Sequence, residues 1–513
     1  MIDSTKPFSA TNIFIATAIW SLLILRYGYF FGTGDHVELL PYTLFLNDNS
    51  FYSSDFFIQS LHATIPNERS VFANFLRPFS NHLEITILVL HLINTIFLLT
   101  GLYQIAQRFF DVKWHTWLPI GASILLFNDK ALGNVDLYTP SLQAGDVACA
   151  IIAWAIALFL DKRLWTFTFM IILATFIHVL EGLDTMILLS IVLFISALQK
   201  DISLKKWIGI NIVYLFTAGI YLALILLGKT AVDSSLSNHD TFKILFEFRH
   251  PHHFIFKTFP VFNIVLMLLL SIVSVFFFYK QSKQMFFFII IGWAILIVYI
   301  IATDICHIIS IANFQWYKVT QWIKVFSFIG TFALFIKYIK FKIDIDYKIL
   351  SGVSIGIITI CFSLIFLNKS PFKAAYQLGA KSLEYDDIKI AVKAKELTKK
   401  DALFVIPFDN SSFKYWSERS CYVEFKANVR NKKFVGEWYK RIGEVYGLDT
   451  NDTHIGFEKR WPANANFFNN ANSDQIRQWK KNGVTNILIQ QPLNNTQLRL
   501  LDTAPSYYLY KIN

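Results

Sequence analysis

Two acids three residues apart, Asp35 and Glu38, stand in Gly34-Asp-His-Val-Glu38, directly after the first apolar run of the chain. On a helix that spacing puts both on one face. Such a pair can supply a general base and a ligand for a divalent cation, Mg or Mn. A segment just outside a membrane is polar in any case, so position alone does not separate the two readings. Length does more: residues 32–83 run on through Tyr52-Ser-Ser-Asp55 and Asn67-Glu-Arg69, which is longer than a plain connector needs. A second constellation is Phe248-Arg-His-Pro-His-His253. Arg249 suits bidentate phosphate binding, and His250, His252 and His253 can donate hydrogen bonds and gain charge near neutral pH. The alternatives are a zinc site, which three ligands around one proline rarely complete, and a loop touching lipid headgroups. In a third, His178-Val-Leu-Glu181-Gly-Leu-Asp184, His178 and Glu181 share a helical face at the end of an apolar run. A structural hydrogen bond and a substrate contact are both open there, because ionisable groups at membrane depth face a cavity or a partner. Lys318, between Gln315 and Gln321, is either a second phosphate ligand or a snorkelling lysine.

These residues are held by a chain made for lipid. Hydrophobic residues make up 54% and charged residues 16% of it, and the mean hydropathy is +0.44. About eleven apolar runs are long enough, or nearly so, to cross a bilayer as helices. They start near residues 11, 84, 115, 143, 164, 183, 207, 259, 285, 323 and 349, and the third, Trp117 to Phe127, is short. The first run is long and has no small-residue cleavage site, so it reads as an anchor rather than a signal peptide.

Alternate connections are short and basic: Arg108/Lys113, Lys162/Arg163, Lys200/Lys205/Lys206, Lys280/Lys283 and Lys337/Lys340/Lys342/Lys348. The positive-inside rule makes these cytoplasmic. The N-terminus is then cytoplasmic, and the longer, more acidic segments 32–83, 128–142, 178–184, 229–258 and 302–322 lie outside. With the C-terminal tail counted as outside too, only His91 and His115 of the 12 histidines fall beyond the outer set. The net charge of +11 is partly this orientation signal, so a nucleic-acid partner is not expected. The partner expected is the lipid bilayer. Cys149, Cys306, Cys361 and Cys421 have the spacing of neither a disulfide framework nor a metal site. Abundant Lys, Asn, Ile and Phe suggest an AT-rich bacterial genome, hence a bacterial inner (cytoplasmic) membrane.

The character changes after Asn368. Residues 1–368 read as a transmembrane domain and 369–513 as a soluble α/β domain on the outer face. Its expected elements are a helix over Ser382–Lys399 and a strand over Ala402–Pro407. A second strand follows at Ser420–Phe425, then a helix near Asn431–Val445. A loop at Asn451–Asn472, a helix at Ser473–Lys481 and a strand at Val484–Gln490 complete the set. Helix–strand alternation favours helices packed on a sheet. Arg419, Lys426, Trp438 and Arg441 would either bind an anionic acceptor or simply build this domain.

The layout resembles the GT-C membrane glycosyltransferases: a short cytoplasmic N-terminus, one span, a long outer loop opening with an acid, a multi-helix body and an outer tail. The matching stretch is Asp35-His-Val-Glu38, then Pro41-Tyr42 and Phe51-Tyr-Ser-Ser-Asp55. There is no Asp-X-Asp in the loop and no Trp-Trp-Asp-Tyr-Gly in the tail, which sets the chain apart from oligosaccharyltransferases. It also resembles uncharacterised multi-pass bacterial proteins at Arg249-His-Pro-His-His253, His178-Val-Leu-Glu-Gly182, Phe413-Lys-Tyr-Trp-Ser-Glu-Arg-Ser420 and Glu437-Trp-Tyr-Lys-Arg441.

The first resemblance implies an α-helical polytopic, GT-C-like fold and transfer of a sugar from a polyprenyl-phosphate-linked donor to a glycan or protein acceptor at the outer face. Asp35 would take the acceptor proton, and Glu38 would orient it or share the divalent ion. Arg249, His250, His252, His253 and Lys318 would receive the departing phosphate, with His178 and Glu181 contacting substrate. Two other classes stay open. A transporter or flippase of lipid-linked glycans predicts ionisable residues along a path through the bilayer. A non-catalytic envelope assembly protein predicts scattered outer charges.

Overall fold

The computed structural model describes residues 7–230, 236–340, 343–367, 371–372, 374–448, 456 and 460–513. The expected boundary at residues 368/369 lies outside them. Chain packing divides the protein into two compact units, each assembled from three segments. The first comprises Met1–Gly28, Ile87–Ala223 and Pro251–Ala374; the second comprises Tyr29–Thr86, Leu224–His250 and Ala375–Asn513.

The first unit is a helical membrane body. Among the described residues eight helices are long and apolar enough to cross a membrane, and Ala144–Leu160 and Leu164–Ile177 are shorter apolar helices. The short third run is a five-residue helix, Trp117–Gly121, continued by a π-helical turn over Ala122–Leu126. Ile120 and Ile124 are fully buried there, so this run packs inside the protein. Ala144–Leu160 packs on Leu164–Ile177, Val261–Gln281 on Val319–Tyr338, and Ala10–Tyr27 on Tyr347–Phe366. Since lipid tails are as apolar as leucine, such helices associate through close packing of small residues. Gly330 illustrates this, because a Cβ there would stand 2.7 Å from that of Ser274 on the facing helix. Ile208, Ile212, Phe216 and Ile220, four residues apart, are all exposed, as a lipid-facing stripe should be. Ser203 and Ser282 accept hydrogen bonds from Lys206 N and Met285 N and so start the helices at Leu204 and Lys283.

The second unit is built on a sheet of five strands: β1 (Leu403–Val405), β2 (Ser420–Cys421), β3 (Asn486–Ile489), β4 (Leu498–Ala504) and β5 (Tyr507–Ile512), in the order β2-β1-β3-β5-β4. β1 runs parallel to β2 and β3, with Phe404 opposite Cys421 and Asn486. The β4–β5 hairpin adds antiparallel strands at the other edge, with Leu488 opposite Leu509. Ile390 and Ala394 of the helix Asp386–Leu397 pack with Phe404, Ile406, Phe413, Leu488 and Leu509 into its core.

The expected helices at 382–399, 431–445 and 473–481 appear as Asp386–Leu397, Lys432–Tyr446 and Ser473–Lys481. The expected strand Ser420–Phe425 shrinks to a two-residue pairing, because the chain turns away to carry Glu424 and Lys426. The expected loop Asn451–Asn472 lies partly outside the described residues, and its second half is a helix, Trp461–Asn469, with Pro462 in its first turn. Proline is at home there, where its missing N–H has no helical partner to lose. The hairpin β4–β5 was not expected from sequence.

The long segment after the first helix, Tyr29–Thr86, belongs to this same unit. Tyr29 bridges to Tyr376, the Tyr52 hydroxyl donates to Lys414 O at 3.2 Å, and Ser54 N donates to Ser420 Oγ at 3.3 Å.

Candidate functional site

The second unit is locked by a buried charge network. Asp55 caps the helix Phe56–His62 by accepting from Ile58 N at 3.0 Å, and its other oxygen accepts from Cys421 N at 2.9 Å. The ammonium of Lys414 lies 3.2 Å from Asp55 Oδ1 and ion-pairs with Glu424. Asp55 and Lys414 are wholly buried and Glu424 nearly so. Burial pushes the Glu424 carboxyl up to about 7, against the opposing pull of Lys414. Burial alone would lower Lys414, but Asp55 and Glu424 outweigh it and the net direction is upward. Ligand atoms of Asp55, Cys421 and Glu424 lie within 4.8 Å of one another, as in a cation site. The Lys414 ammonium supplies the positive charge those carboxylates call for.

In the same unit sit the two acids that follow the first helix, Asp35 and Glu38. The helix His36–Asn47 begins just after Asp35, so Asp35 and Glu38 flank its first turn, where the macrodipole favours negative charge. The preceding turn is fixed by His36, buried, whose Nδ1 accepts from Gly32 N at 3.1 Å. Gly32 has φ +71°, and a Cβ there would stand 2.6 Å from Trp416 Nε1. Glu38 pairs with Arg69, which also pairs with Glu68 at 3.0 Å. Asp35, half exposed, pairs with Lys426 at 2.7 Å.

Arg249 reaches the same place. Its Nη2 donates to the Lys426 carbonyl at 2.8 Å, its guanidinium lies 4.6 Å from the centre of the Phe425 ring, and Nη1 is 3.3 Å from His250 Nδ1. Arg249 is 8% exposed and its Nε has no hydrogen-bond partner. Among the described residues no carboxylate is in ion-pairing contact with it. Burial lowers it to about 10, and Glu38 and Asp35, the nearest acids, offset only part of that effect. Lys426 therefore joins Asp35 through its ammonium and Arg249 through its backbone. A shallow depression lined by Pro407, Asn410, Ser411, Glu424, Phe425 and Lys426 lies alongside. Gly34 N donates to Ser411 Oγ at 3.3 Å and brings the turn before Asp35 to that wall.

The remaining residues singled out in the sequence belong to the membrane body. Lys318 Nζ pairs with Glu181 Oε1 at 2.8 Å, and Gln321 Nε2 donates to Glu181 Oε2 at 2.7 Å. His178 Nδ1 caps the helix Val179–Leu198 by accepting from Glu181 N at 3.3 Å. The His252 and His253 rings are 4.1 Å apart, and His253 Nδ1 is 2.7 Å from the Gly133 carbonyl. The structure thus brings Asp35, Glu38, Arg249 and His250 into one unit, and His178, Glu181, Lys318, His252 and His253 into the other.

Arg419, Trp438 and Arg441 hold the second unit together. Arg419 donates to the carbonyls of Lys395 at 2.6 Å and Thr398 at 2.8 Å, ending the helix there. Trp438 Nε1 donates to Glu424 O at 2.9 Å, and Arg441 donates to Tyr422 O at 3.1 Å and stacks on Phe56. Sequence reasoning missed the pairing role of Arg69 and the whole of Lys414 and Glu424. One signal was available for Lys414: a lysine enclosed in Phe-Lys-Tyr-Trp, among aromatic neighbours with no polar companion.

Residues 385–445, which supply Lys414, Glu424 and Lys426, match the family model of a domain of unknown function, DUF6798. No curated protein is similar to the chain.

Proposed function

We propose that the protein is a GT-C-type membrane glycosyltransferase that moves a sugar from a polyprenyl-phosphate donor to a glycan or protein acceptor at the outer face of a bacterial inner membrane. The observation that carries the proposal is Arg249, a buried guanidinium with an unused Nε donor and, among the described residues, no ion-paired carboxylate. Its partners, the Lys426 carbonyl and the Phe425 ring, leave its charge without a counter-ion, which is costly when buried, and a phosphate oxygen suits a guanidinium in both charge and geometry. Asp35, half exposed and one lysine away, is placed to act on what such a phosphate delivers.

In the reaction the acceptor oxygen bonds to the anomeric carbon and gives its proton to Asp35. The bond from that carbon to the phosphate oxygen breaks, and its electron pair leaves with the lipid phosphate. Arg249 and Lys426 stabilise that growing charge. Glu38, held by Arg69, keeps the first turn of its helix in place. Lys426 and Arg69 face the two acids, and Arg249 is left to face the phosphate.

Topology supports an outer-face site. The three segments of the second unit form one polar body, so they share one side of the bilayer. Both intervening stretches must then contain an even number of crossings. Between residues 250 and 375 there are four: Val261–Gln281, Lys283–Ile300, Val319–Tyr338 and Tyr347–Phe366. Between 86 and 224 the number is even only if Lys113–Leu126 crosses as well, which gives eleven in all.

The test uses the full chain in nanodiscs with a labelled polyprenyl-phosphate hexose. Asp35→Asn should retain donor binding and lose transfer, while Arg249→Gln should lose binding. Full transfer by Asp35→Asn, or unchanged donor binding by Arg249→Gln, refutes the assignment. The transport reading keeps one observation in its favour, the buried ion pairs Lys318–Glu181 and Lys324–Asp136 inside the membrane body.

A further inference from the structure

The membrane body contains a carboxylate with no partner. Asp184, one turn after Glu181 on the helix Val179–Leu198, is 1% exposed, and neither of its oxygens has a hydrogen-bond partner among the described residues. Its charged neighbours are Glu181 and Lys318. Lys318 is committed to Glu181 at 2.8 Å, and Gln321, which donates to the same carboxylate, is neutral.

Other titratable groups nearby do not balance the charge. His178 accepts at Nδ1 from Glu181 N, which requires the neutral ring. The Cys149 thiol lies 3.5 Å from Glu181 Oε2 and the Tyr214 hydroxyl 3.0 Å from Thr175 Oγ1, and neither brings a positive charge. Asp146 is tied at its helix start to Thr139 and Gln143 N, at 2.6 and 2.7 Å. Two carboxylates thus face one ammonium, leaving one carboxyl group without a counter-ion among the described residues, inside a body that lies in lipid. Ionisable groups at that depth occur where a path or a ligand needs them.

We infer that Asp184 and Glu181, with Lys318 as fixed counter-ion, form an intramembrane site for one exchangeable monovalent cation, an alkali ion or a proton. The site is separate from the transferase chemistry, uses none of its residues, and gives the membrane body a way to respond to the ions around it. Asp184 holds the exchangeable charge, and Lys318 and Gln321 keep Glu181 in place.

The experiment is thermal unfolding of the full chain in detergent. Na+ or K+ replaces N-methylglucamine at fixed pH and ionic strength in one arm, and pH is varied at fixed salt in the other. Binding to the folded state raises the melting temperature, here by about 2 °C or more. A rise with Na+ or K+ assigns the site to an alkali ion, and a rise on acidification that is larger in the parent than in Asp184→Asn assigns it to a proton. Asp184→Asn removes the surplus carboxylate and should abolish the alkali response or shrink the acid response to what Glu424 and the other groups outside the site supply, as should Glu181→Gln. A parent and Asp184→Asn that respond alike in both arms overturn the inference.

If the variants do not accumulate, the parent alone decides. Dicyclohexylcarbodiimide adds to a protonated carboxyl, whose oxygen attacks the carbodiimide carbon before the acyl group migrates to nitrogen. Modification of Asp184, read by mass spectrometry and suppressed by alkali ion or by rising pH, supports the site. An Asp184 that stays unmodified under every condition overturns it.

Discussion

Replacing Lys414 by methionine should do more to the second unit than any other single change of a charged residue. The methionine fills nearly the same volume, so the perturbation is electrostatic: Asp55 and Glu424, both buried, lose the ammonium between them. Breaking a buried ion pair from one side typically costs about 3–5 kcal/mol. Protonation of Glu424 can relieve part of that cost, which gives the variant a pH signature. Burial holds the Glu424 carboxyl at about 7 in the folded protein, above its ordinary 4.5. The folded state therefore holds more protons than the unfolded state between those values, and this group's contribution is full below the lower value and lost as pH rises through the upper. The span between them corresponds to roughly 3 kcal/mol. In the parent, Lys414 opposes the upward shift. Without it the loss with rising pH should be steeper and extend further. Melting curves of the full chain between pH 6 and 8.5, read by tryptophan fluorescence and checked by limited proteolysis, measure this directly. A variant within about 1 kcal/mol of the parent at pH 8.5, or one whose deficit does not grow with pH, would refute the buried network.

Other perturbations test the neighbouring features. Gly32→Ala forces a side chain into a positive-φ turn and against Trp416, and should lower stability by about 1–3 kcal/mol, as seen in chemical denaturation; an unchanged midpoint would contradict the geometry. Lys426→Met frees Asp35 of its half-exposed partner, so stability should move by less than about 1 kcal/mol while donor binding, measured by isothermal titration, weakens. In Arg249→Lys the point charge stays but the fork is lost, and phosphate-lipid affinity should fall without loss of the folded protein. Lys324→Met leaves Asp136 buried and unpaired in the membrane body, and should reduce the yield of detergent-stable protein, read by size-exclusion chromatography; restoring the yield with Asp136→Asn would confirm the pair.

The membrane helices were legible because lipid leaves the sequence little freedom: apolar runs of sufficient length have few other solutions. The tail's helices at Asp386, Lys432 and Ser473 were legible from amphipathic periodicity. The hairpin β4–β5 was hidden because Arg499 and Asp502 interrupt the apolar alternation of β4, as befits the strand at the sheet edge, and Lys511 interrupts that of β5. Individual site residues were readable by type, but their pairings were not. Glu181 was read with His178, three residues away, yet its ionic partner Lys318 is 137 residues distant. Asp55 was quoted only as part of the loop, while its partner Lys414 sat unremarked among aromatics. Pairing across such distances depends on how the segments assemble, and local periodicity carries no information about that.

The three-segment construction of the second unit also sets a timetable. Asp55 and Lys414 are 359 residues apart in the chain, and a ribosome adds roughly 5–20 residues per second. The helix capped by Asp55 must therefore wait on the order of 20–70 s for the ammonium that neutralises it. Throughout that interval the whole membrane body is still being threaded into the bilayer. During the wait Phe57, covered in the finished protein, lacks the Lys414 ammonium that lies 5.0 Å from its ring centre, and Asp55 lacks Cys421 N. Maturation of this protein thus has a built-in vulnerable period, and the segment 32–83 is a natural client for a holding chaperone until the last segment arrives.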